Sequence, residues 1–479
     1  MEAFFKTHKY LVEHLYSPVR RGLMDEINWE DRLIGIKGSR GVGKTTFLLD
    51  YAREYFGADN KECLYINLNH FYFTERTLVD FAAEFRAKGG KVLLIDQVFK
   101  YSNWSRELRY CYDNFEDLKI VFSGSSVMRL KEENPDLSGK VVSYNLRGFS
   151  FREFLNLMSG NQFSAYTFDE VVENHQEIAK RICSVVRPMA YFQDYLHHGF
   201  YPFFLEKRNF SENLLKTMNM MLEVDVLYIK QIEQSYLPKL RKLLYLLATS
   251  APCTPNVSQL SKDIETSRAT VMNYIKYLTD ARLMNMLYPV GESFPKKPSK
   301  VYMYNSNLMY PIRPMEVNAG AVRESFFYNQ LLKDNKLNEG NKNAHFLVNT
   351  MYNFRIEESM KVKNNPDMYY AVDKTEIGDH ESGFSPWLRA NRRASLTWPM
   401  PPLYAARMML IRSSSGVPGA KRSPASIFES TCAASRTLVS GSRSRSPVTL
   451  NWRATAGMIC ISPAAPRFET MSGEKRDSW

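Results

Sequence analysis

The stretch Leu33-Ile34-Gly35-Ile36-Lys37-Gly38-Ser39-Arg40-Gly41-Val42-Gly43-Lys44-Thr45-Thr46 decides the fold. It reads as a short apolar strand, then Gly-x-x-x-x-Gly-Lys-Thr, then the apolar start of a helix at Phe47-Leu48-Leu49. That is a Walker A phosphate loop in strand–loop–helix context. Gly38, Gly41 and Gly43 let the backbone bend so that successive N–H groups, including those of Ser39, Arg40, Val42 and Thr46, can face a phosphate. The positive helix end favours the same anion. Lys44 is placed to neutralise β/γ-phosphate charge, and Thr45 to put its hydroxyl on Mg²⁺. The fold class that follows is α/β, with the parallel sheet of a P-loop NTPase.

Downstream, Cys63-Leu64-Tyr65-Ile66-Asn67-Leu68 is a β-rich run suited to a parallel sheet, and Leu78 to Lys88 is helix-like, ending at Gly89-Gly90. Lys91-Val92-Leu93-Leu94-Ile95-Asp96 is then a buried apolar strand ending in Asp, the Walker B pattern, so Asp96 is expected to hold Mg²⁺ with Thr45. Many hydrolysing ATPases of this type carry Glu next, where it polarises the attacking water. Here the residue is Gln97. An amide can orient water but cannot accept its proton. Gln does position water in some P-loop GTPases, so turnover stays open.

Trp104 to Phe115 has the apolar spacing of a helix, and Leu118 to Ser126 is a further strand ending in small polar residues. Ser123, Ser125 or Ser126 could reach a γ-phosphate or its water; N-capping serines are the plain alternative. Before the loop, Phe4 to Leu23 alternates aromatic and basic residues up to Arg20-Arg21. It is either a lead-in beside an adenine pocket or an amphipathic capping helix.

Gly38–Thr45, Leu93–Gln97 with Phe99-Lys100-Tyr101 and Trp104, Ser123–Ser126, and Leu146-Arg147-Gly148-Phe149-Ser150-Phe151-Arg152-Glu153-Phe154 occur in that order. The series resembles the bacterial and archaeal AAA-type ATPases whose P-loop domain precedes a helical and winged-helix section and a C-terminal domain of unknown function. The resemblance spans residues 1–379 and implies ATP and Mg²⁺ as ligands, with Gln97 a departure from the usual Glu. Lys44, Asp96, Gln97, Ser123 and Arg147 are the candidate catalytic residues. Arg147 and Arg152 could contact a γ-phosphate in cis or from a neighbouring copy, and surface salt bridges or packing of the Phe-rich segment explain them equally well.

The expected organisation is an ATPase domain over 1–160, a helical lid over 161–238, a winged-helix-like unit over 239–298, a degenerate restriction-endonuclease-like αβ domain over 299–380, and a tail over 381–479. Within the lid, His197-His198 has no carboxylate or thiol at ligand spacing, and a helix end before Gly199 is the better reading. In 239–298 the order is helix, helix, Glu265-Thr266-Ser267 turn, helix, strand. Arg268, Thr270, Asn273, Tyr274 and Lys276 give the third helix a mildly basic face for DNA, with Arg268 and Lys276 as its cations. Winged helices also serve as protein-binding modules. In the C-terminal domain the resemblance puts Glu324 at the helix acid, His345 where an Asp belongs, and Glu357 and Lys361 loosely after it. One carboxylate of a Mg²⁺ nuclease set is missing, which argues against cleavage.

Length and composition frame this reading. At 479 residues about two to four domains are expected, and 44% hydrophobic content is ample for their cores. No apolar run approaches the roughly 20 residues that span a bilayer, and Met1 to Lys6 is unlike a signal peptide. Six scattered cysteines read as reduced thiols of a cytoplasmic protein. Of the net charge of +12, the tail contributes most, with 14 Lys/Arg against 5 Asp/Glu after His380. The tail is rich in Ser, Arg, Pro and Ala without periodicity. A frame shift or fusion explains it best; a disordered basic tail is the second reading. The remaining partners expected are an unidentified protein and other copies of the chain. Two functions compete, a hydrolysing ATPase that drives conformational change and a nucleotide-dependent switch, or DNA-associated regulator, with little turnover.

Overall fold

Strands β1 (Leu33–Gly38), β2 (Cys63–Asn67), β3 (Val92–Asp96), β4 (Lys119–Ser125) and β5 (Val142–Asn145) form one parallel sheet in the order β2-β3-β4-β1-β5. Helices α1 (Glu2–Glu13), α2 (Lys44–Tyr55), α3 (Leu78–Ala87) and α4 (Trp104–Asn114) cover its faces. Successive strand residues point to opposite sides. Val92 and Leu94 of β3 therefore join one core with Phe47, Leu48 and Tyr51, while Leu93 and Ile95 join another with Phe81, Phe85 and Leu108. Burial on both faces is why the strands read as unbroken apolar runs rather than alternating ones. The pairing Asn67↔Asp96 and Gly38↔Ser125 brings the carboxyl ends of β1 to β4 level, so the phosphate loop, Asp96 and the serines share one edge.

The computed structural model describes residues 1–128, 134–341, 343–358, 368–373, 376 and 395–397, all within one compact unit, Met1–Ile411. Lys361 and the tail from 381, apart from Ser395–Thr397, lie outside the described residues.

A buried guanidinium ties the sheet to what precedes it. Arg21 donates to the carbonyls of Val42 (3.1 Å), Arg147 (2.6 Å) and Gly148 (3.2 Å), and to Glu153 Oε1 (3.3 Å). Its guanidinium carbon also stands 4.9 Å from the centre of the Phe149 ring. Glu153 belongs to helix α5 (Phe151–Ser159), whose Ser150 N-cap and Glu153 form a reciprocal capping box. One side chain thus joins the lead-in, the phosphate loop and the turn after β5.

Helices α6 (Phe168–Cys183) and α7 (Phe210–Met220) make up most of the lid, with π-helical stretches at Tyr195–Gly199 and Met221–Tyr228. The helical stretch ends at Gly199, its last residue and one later than expected from sequence, where a Cβ would come within 2.6 Å of the Tyr195 ring and 2.8 Å of Phe154. Close packing, not a left-handed cap, demands glycine there. His197 and His198 pack against Tyr310, Phe204 and Phe210.

Helices α8 (Leu237–Ser250), α9 (Val257–Asp263) and α10 (Arg268–Asp280) lead into the antiparallel hairpin β6 (Met284–Leu287) and β7 (Lys300–Met303), where a winged helix is expected. Helix α11 (Ala319–Leu331) precedes the second sheet. Strands β8 (Leu337–Glu339), β9 (Phe346–Val348) and β10 (Tyr352–Glu357) meander antiparallel, and β11 (Tyr369–Val372) and β12 (Ser395–Thr397) continue parallel to β10. A single core runs from Val12 to Ala371 through all these sections. Asn307 Nδ2 donates to the Tyr195 and Leu196 carbonyls, Gln330 Nε2 to Tyr195 Oη, and Lys333 Nζ to Glu26. These contacts fasten the C-terminal section to the lid and the ATPase part.

Removing Arg21 leaves Glu153 and three carbonyls of the hub short of a donor. Arg21→Ala should lower unfolding free energy by about 3–5 kcal/mol in urea titrations, because one partner of a buried ion pair is stranded. Arg21→Lys should recover only part of this, since an ammonium cannot serve the same planar fork. Equal stability of all three proteins would show that the hub is dispensable.

Candidate functional site

The loop leaves β1 and enters α2 through two left-handed glycines, Gly41 (φ +82°) and Gly43 (φ +89°). Side chains are strained in that region, and a Cβ on Gly41 would also stand 2.9 Å from the Phe203 ring. Lys44 Nζ donates to the Gly38 and Ser39 carbonyls, both at 2.9 Å, and so spans the loop it belongs to. Thr45 Oγ1 donates to Asp96 Oδ2 at 2.6 Å, and Tyr65 Oη donates to the same oxygen at 2.9 Å. The other oxygen, Oδ1, accepts from Ser123 Oγ and, at 2.9 Å, from Gln97 N. A hydroxyl and a carboxylate held side by side are the oxygen ligands that Mg²⁺ takes, so Thr45 and Asp96 fit that ion.

Above the loop lies a cavity of about 530 Å³, within the usual span for small-molecule sites. Arg40, Gly41, Gly43, Lys44, Thr45 and Thr46 line it with Asp96 and Gln97. Gly38, Ser39 and Val42 are buried behind this surface and shape the loop. Apolar walls come from Pro18, Val19, Phe149, Pro202 and Phe203. Helix α1 caps the sheet, with His8 Nδ1 accepting from Tyr65 N at 3.0 Å, and the segment after it lines the cavity.

Gln97 sits on the cavity wall with φ +55°, a conformation that non-glycine residues adopt at a cost of roughly 1–2 kcal/mol. Ser123 is buried, gives its hydroxyl to Asp96 and also lines the cavity. Ser125 lines the cavity, whereas Ser126 Oγ donates to the Asp280 carbonyl at 2.8 Å, at the end of α10. Arg147 is turned away from the cavity. It donates to the Asn329 carbonyl and lies 5.8 Å from the Tyr304 ring centre, so within this chain it does not line the cavity. Arg152 donates to the Phe163 carbonyl at 3.1 Å.

The residue that sequence reasoning missed is Asp225, 3% exposed, on the π-helical stretch of the lid. Its Oδ2 accepts from Arg40 Nε at 3.4 Å, and its carboxylate faces the cavity. Nothing in the run Met221-Leu222-Glu223-Val224-Asp225 marks it, because its partner is 185 positions away. Burial lowers the Lys44 ammonium to about 8, Asp225 and then Asp96 pull it back up, and Arg40 pushes it down.

The two residues expected to meet DNA separate. Arg268 is exposed at the start of α10, while Lys276 is paired with Asp280, which also takes Lys230 at 3.3 Å. Tyr274 is buried in the core. In the C-terminal section Glu324 accepts from Tyr302 Oη at 3.1 Å, and His345 Nδ1 accepts from Ile356 N at 3.0 Å. Burial lowers the His345 imidazole below its usual range. Among the described residues no group of three or more His, Cys, Asp or Glu could hold a metal ion, and no helix is long and apolar enough to cross a membrane.

Residues 30–155 match the family model of an AAA domain, and residues 189–316 match a domain of unknown function (DUF8612). An uncharacterized protein of Methanocaldococcus jannaschii is 27% identical over 323 residues, 64% of this chain and 67% of that protein. Among solved structures, Caenorhabditis elegans PCH-2 is similar at 15% identity and a TM-score of 0.20, covering 58% of this chain and 66% of that one. Drosophila ORC bound to DNA is similar at 14% and 0.24, covering 66% and 100%. At those scores neither structure adds to the description above.

The titration of Lys44 sets the pH dependence of anion binding. A phosphate on the loop needs the ammonium, so ATP affinity should hold steady below pH 8 and fall above it, with proton uptake on binding. The free protein has the opposite sign. Between about 8 and the unfolded value of about 10.4 the unfolded chain binds the extra proton, so Lys44's contribution to stability rises with pH. Calorimetry in two buffers of different ionisation enthalpy would count that proton; a flat affinity profile from pH 7 to 9.5 would show that the Lys44 ammonium of the free protein is not lowered.

Proposed function

We propose that this chain, which carries an AAA domain followed by a DUF8612 domain, binds ATP with Mg²⁺ and hydrolyses it slowly, turning occupancy of the loop into movement of the lid. The observation that carries the reading is the convergence of Lys44, Thr45 and Asp96 under a left-handed glycine loop at the mouth of a cavity with apolar walls. Lys44 would hold β/γ-phosphate charge, Thr45 and Asp96 the metal, and the Pro18–Val19 and Phe203 walls the base. The metal would offset charge on the phosphates.

Gln97 makes turnover slow in this reading, since its amide can orient water without taking the proton. Steady-state phosphate release should be weak in the wild type, abolished by Lys44→Ala, and raised about 10²-fold by Gln97→Glu, the scale of general-base catalysis. Tight ATP binding with no release in either wild type or Gln97→Glu would leave the nucleotide-dependent switch as the function. Fast wild-type turnover would remove Gln97 from its assigned role. A cytoplasmic setting, a protein partner and self-association belong to the same reading.

DNA contact is a second reading, favoured by the exposed Arg268 and by the exposed Lys297 in the connection between β6 and β7, where Lys296 is already paired with Glu292 at 2.8 Å. Lys276 is left out because Asp280 already neutralises it. If DNA binds, Arg268→Ala and Lys297→Ala should each reduce the salt slope of binding by about 1, and Lys276→Ala should leave it unchanged. Salt-insensitive binding, or none, would reserve the unit for protein contact. The reading assigns no cleavage to the second sheet, where His345 stands in place of the acid a Mg²⁺ nuclease needs.

A further inference from the structure

Four carboxylates border the cavity: Asp50, Asp96, Glu206 and Asp225. Asp50 is held by Ser17 Oγ at 2.6 Å and by Arg53, and Asp96 is filled by Thr45, Tyr65, Ser123 and Gln97 N. Glu206 is exposed. Asp225 differs from all three. It is buried, it belongs to the lid, and its hydrogen-bonding partner is a cation of the phosphate loop itself, Arg40.

A buried carboxylate needs a close cationic partner. The contact here is 3.4 Å through a single Nε, at the long end of hydrogen-bond geometry, whereas Arg pairs held for stability are commonly bidentate and shorter. Asp225 and Asp96 both act on the Lys44 ammonium, which puts Asp225 at the end of the cavity where the β- and γ-phosphates belong. A γ-phosphate arriving there meets the same two cations, Lys44 and Arg40, that the lid carboxylate already faces. Phosphate and carboxylate cannot both sit on them without like-charge repulsion, which the buried position of Asp225 strengthens.

We propose that Asp225 is the residue by which the site tells nucleoside triphosphate from diphosphate. It holds Arg40 in the empty and diphosphate-bound protein and yields it to a γ-phosphate. The segment that carries it is suited to yielding. Met221–Tyr228 is π-helical, a geometry found mostly where function requires it. Tyr228, at its end, faces Lys100 at 5.3 Å, just past Gln97, so release of Asp225 loosens the lid from the loop and from the Walker B turn together. The device rests on the nucleotide-binding reading and assigns that site its discrimination.

The test compares binding of a mant-labelled non-hydrolysable ATP analogue and of mant-ADP, both with Mg²⁺, to the full chain. Asp225→Asn should tighten the triphosphate about tenfold and the diphosphate less than about twofold, the size of an ordinary coupling between sites. Arg40→Gln should weaken the triphosphate, and adding Asp225→Asn to it should tighten it by clearly less than the tenfold seen with Arg40 in place, because only the contest over Lys44 is left. Equal tightening for both nucleotides, or no change, would overturn the proposal while leaving nucleotide binding intact. Unchanged affinity with lost phosphate release would overturn it too, and assign Asp225 to the attacking water. A wild type that binds neither nucleotide would bring down the nucleotide reading itself, and this device with it.

Discussion

Arg21 is the side chain on which the arrangement of the site depends. A guanidinium taken out of water must find donors' partners on every edge, and this one does so across four pieces of chain. One of its acceptors, the Val42 carbonyl, lies inside the phosphate loop, and two more lie in the turn after β5. The loop is therefore shaped from behind by a charge that faces the cavity edge, before any ligand is present. Glu153 supplies the counter-charge while capping its own helix, so the ion pair also fixes where α5 begins.

The ATPase part was legible because its signals are local. Apolar runs buried on both faces gave β1 to β4, and the helices over Thr45–Tyr55, Leu78–Lys88 and Trp104–Phe115 differ from the observed ones by a residue or so at their ends. The loop and Asp96 were legible for the same reason, since strand, glycines and Lys44 are consecutive. What could not be read was which distant side chain would face the loop. Asp225 and Arg40 meet only through the tertiary fold, and Arg21 stood at the end of a stretch alternating aromatic and basic residues with nothing to mark it as buried. The π turns also escaped, because over two turns an apolar pattern hardly distinguishes them from an α-helix.

Misplaced roles share a cause. Arg147, Tyr274 and Lys276 have the chemistry of phosphate or DNA ligands, but each is already satisfied within the chain: Arg147 by Asn329 and Tyr304, Tyr274 by the core, Lys276 by Asp280. Residue type advertises capacity, and packing decides whether the capacity is spent internally. Ser123 is the intermediate case. It lines the cavity, and its hydroxyl is given to the Asp96 carboxylate.

The contacts that bring the C-terminal section back to the beginning of the chain have a consequence for synthesis. Lys333 meets Glu26 across 307 positions, and Asn307 and Gln330 fill polar gaps around Tyr195 and Leu196. A ribosome adding about 5–20 residues per second needs roughly 15–60 s to deliver Lys333 after Glu26. Through that interval the sheet with its phosphate loop can form, while the lid's polar backbone and Glu26 still face solvent or a chaperone. The nascent chain would thus pass through a state in which its phosphate loop exists before the helical section over it is pinned.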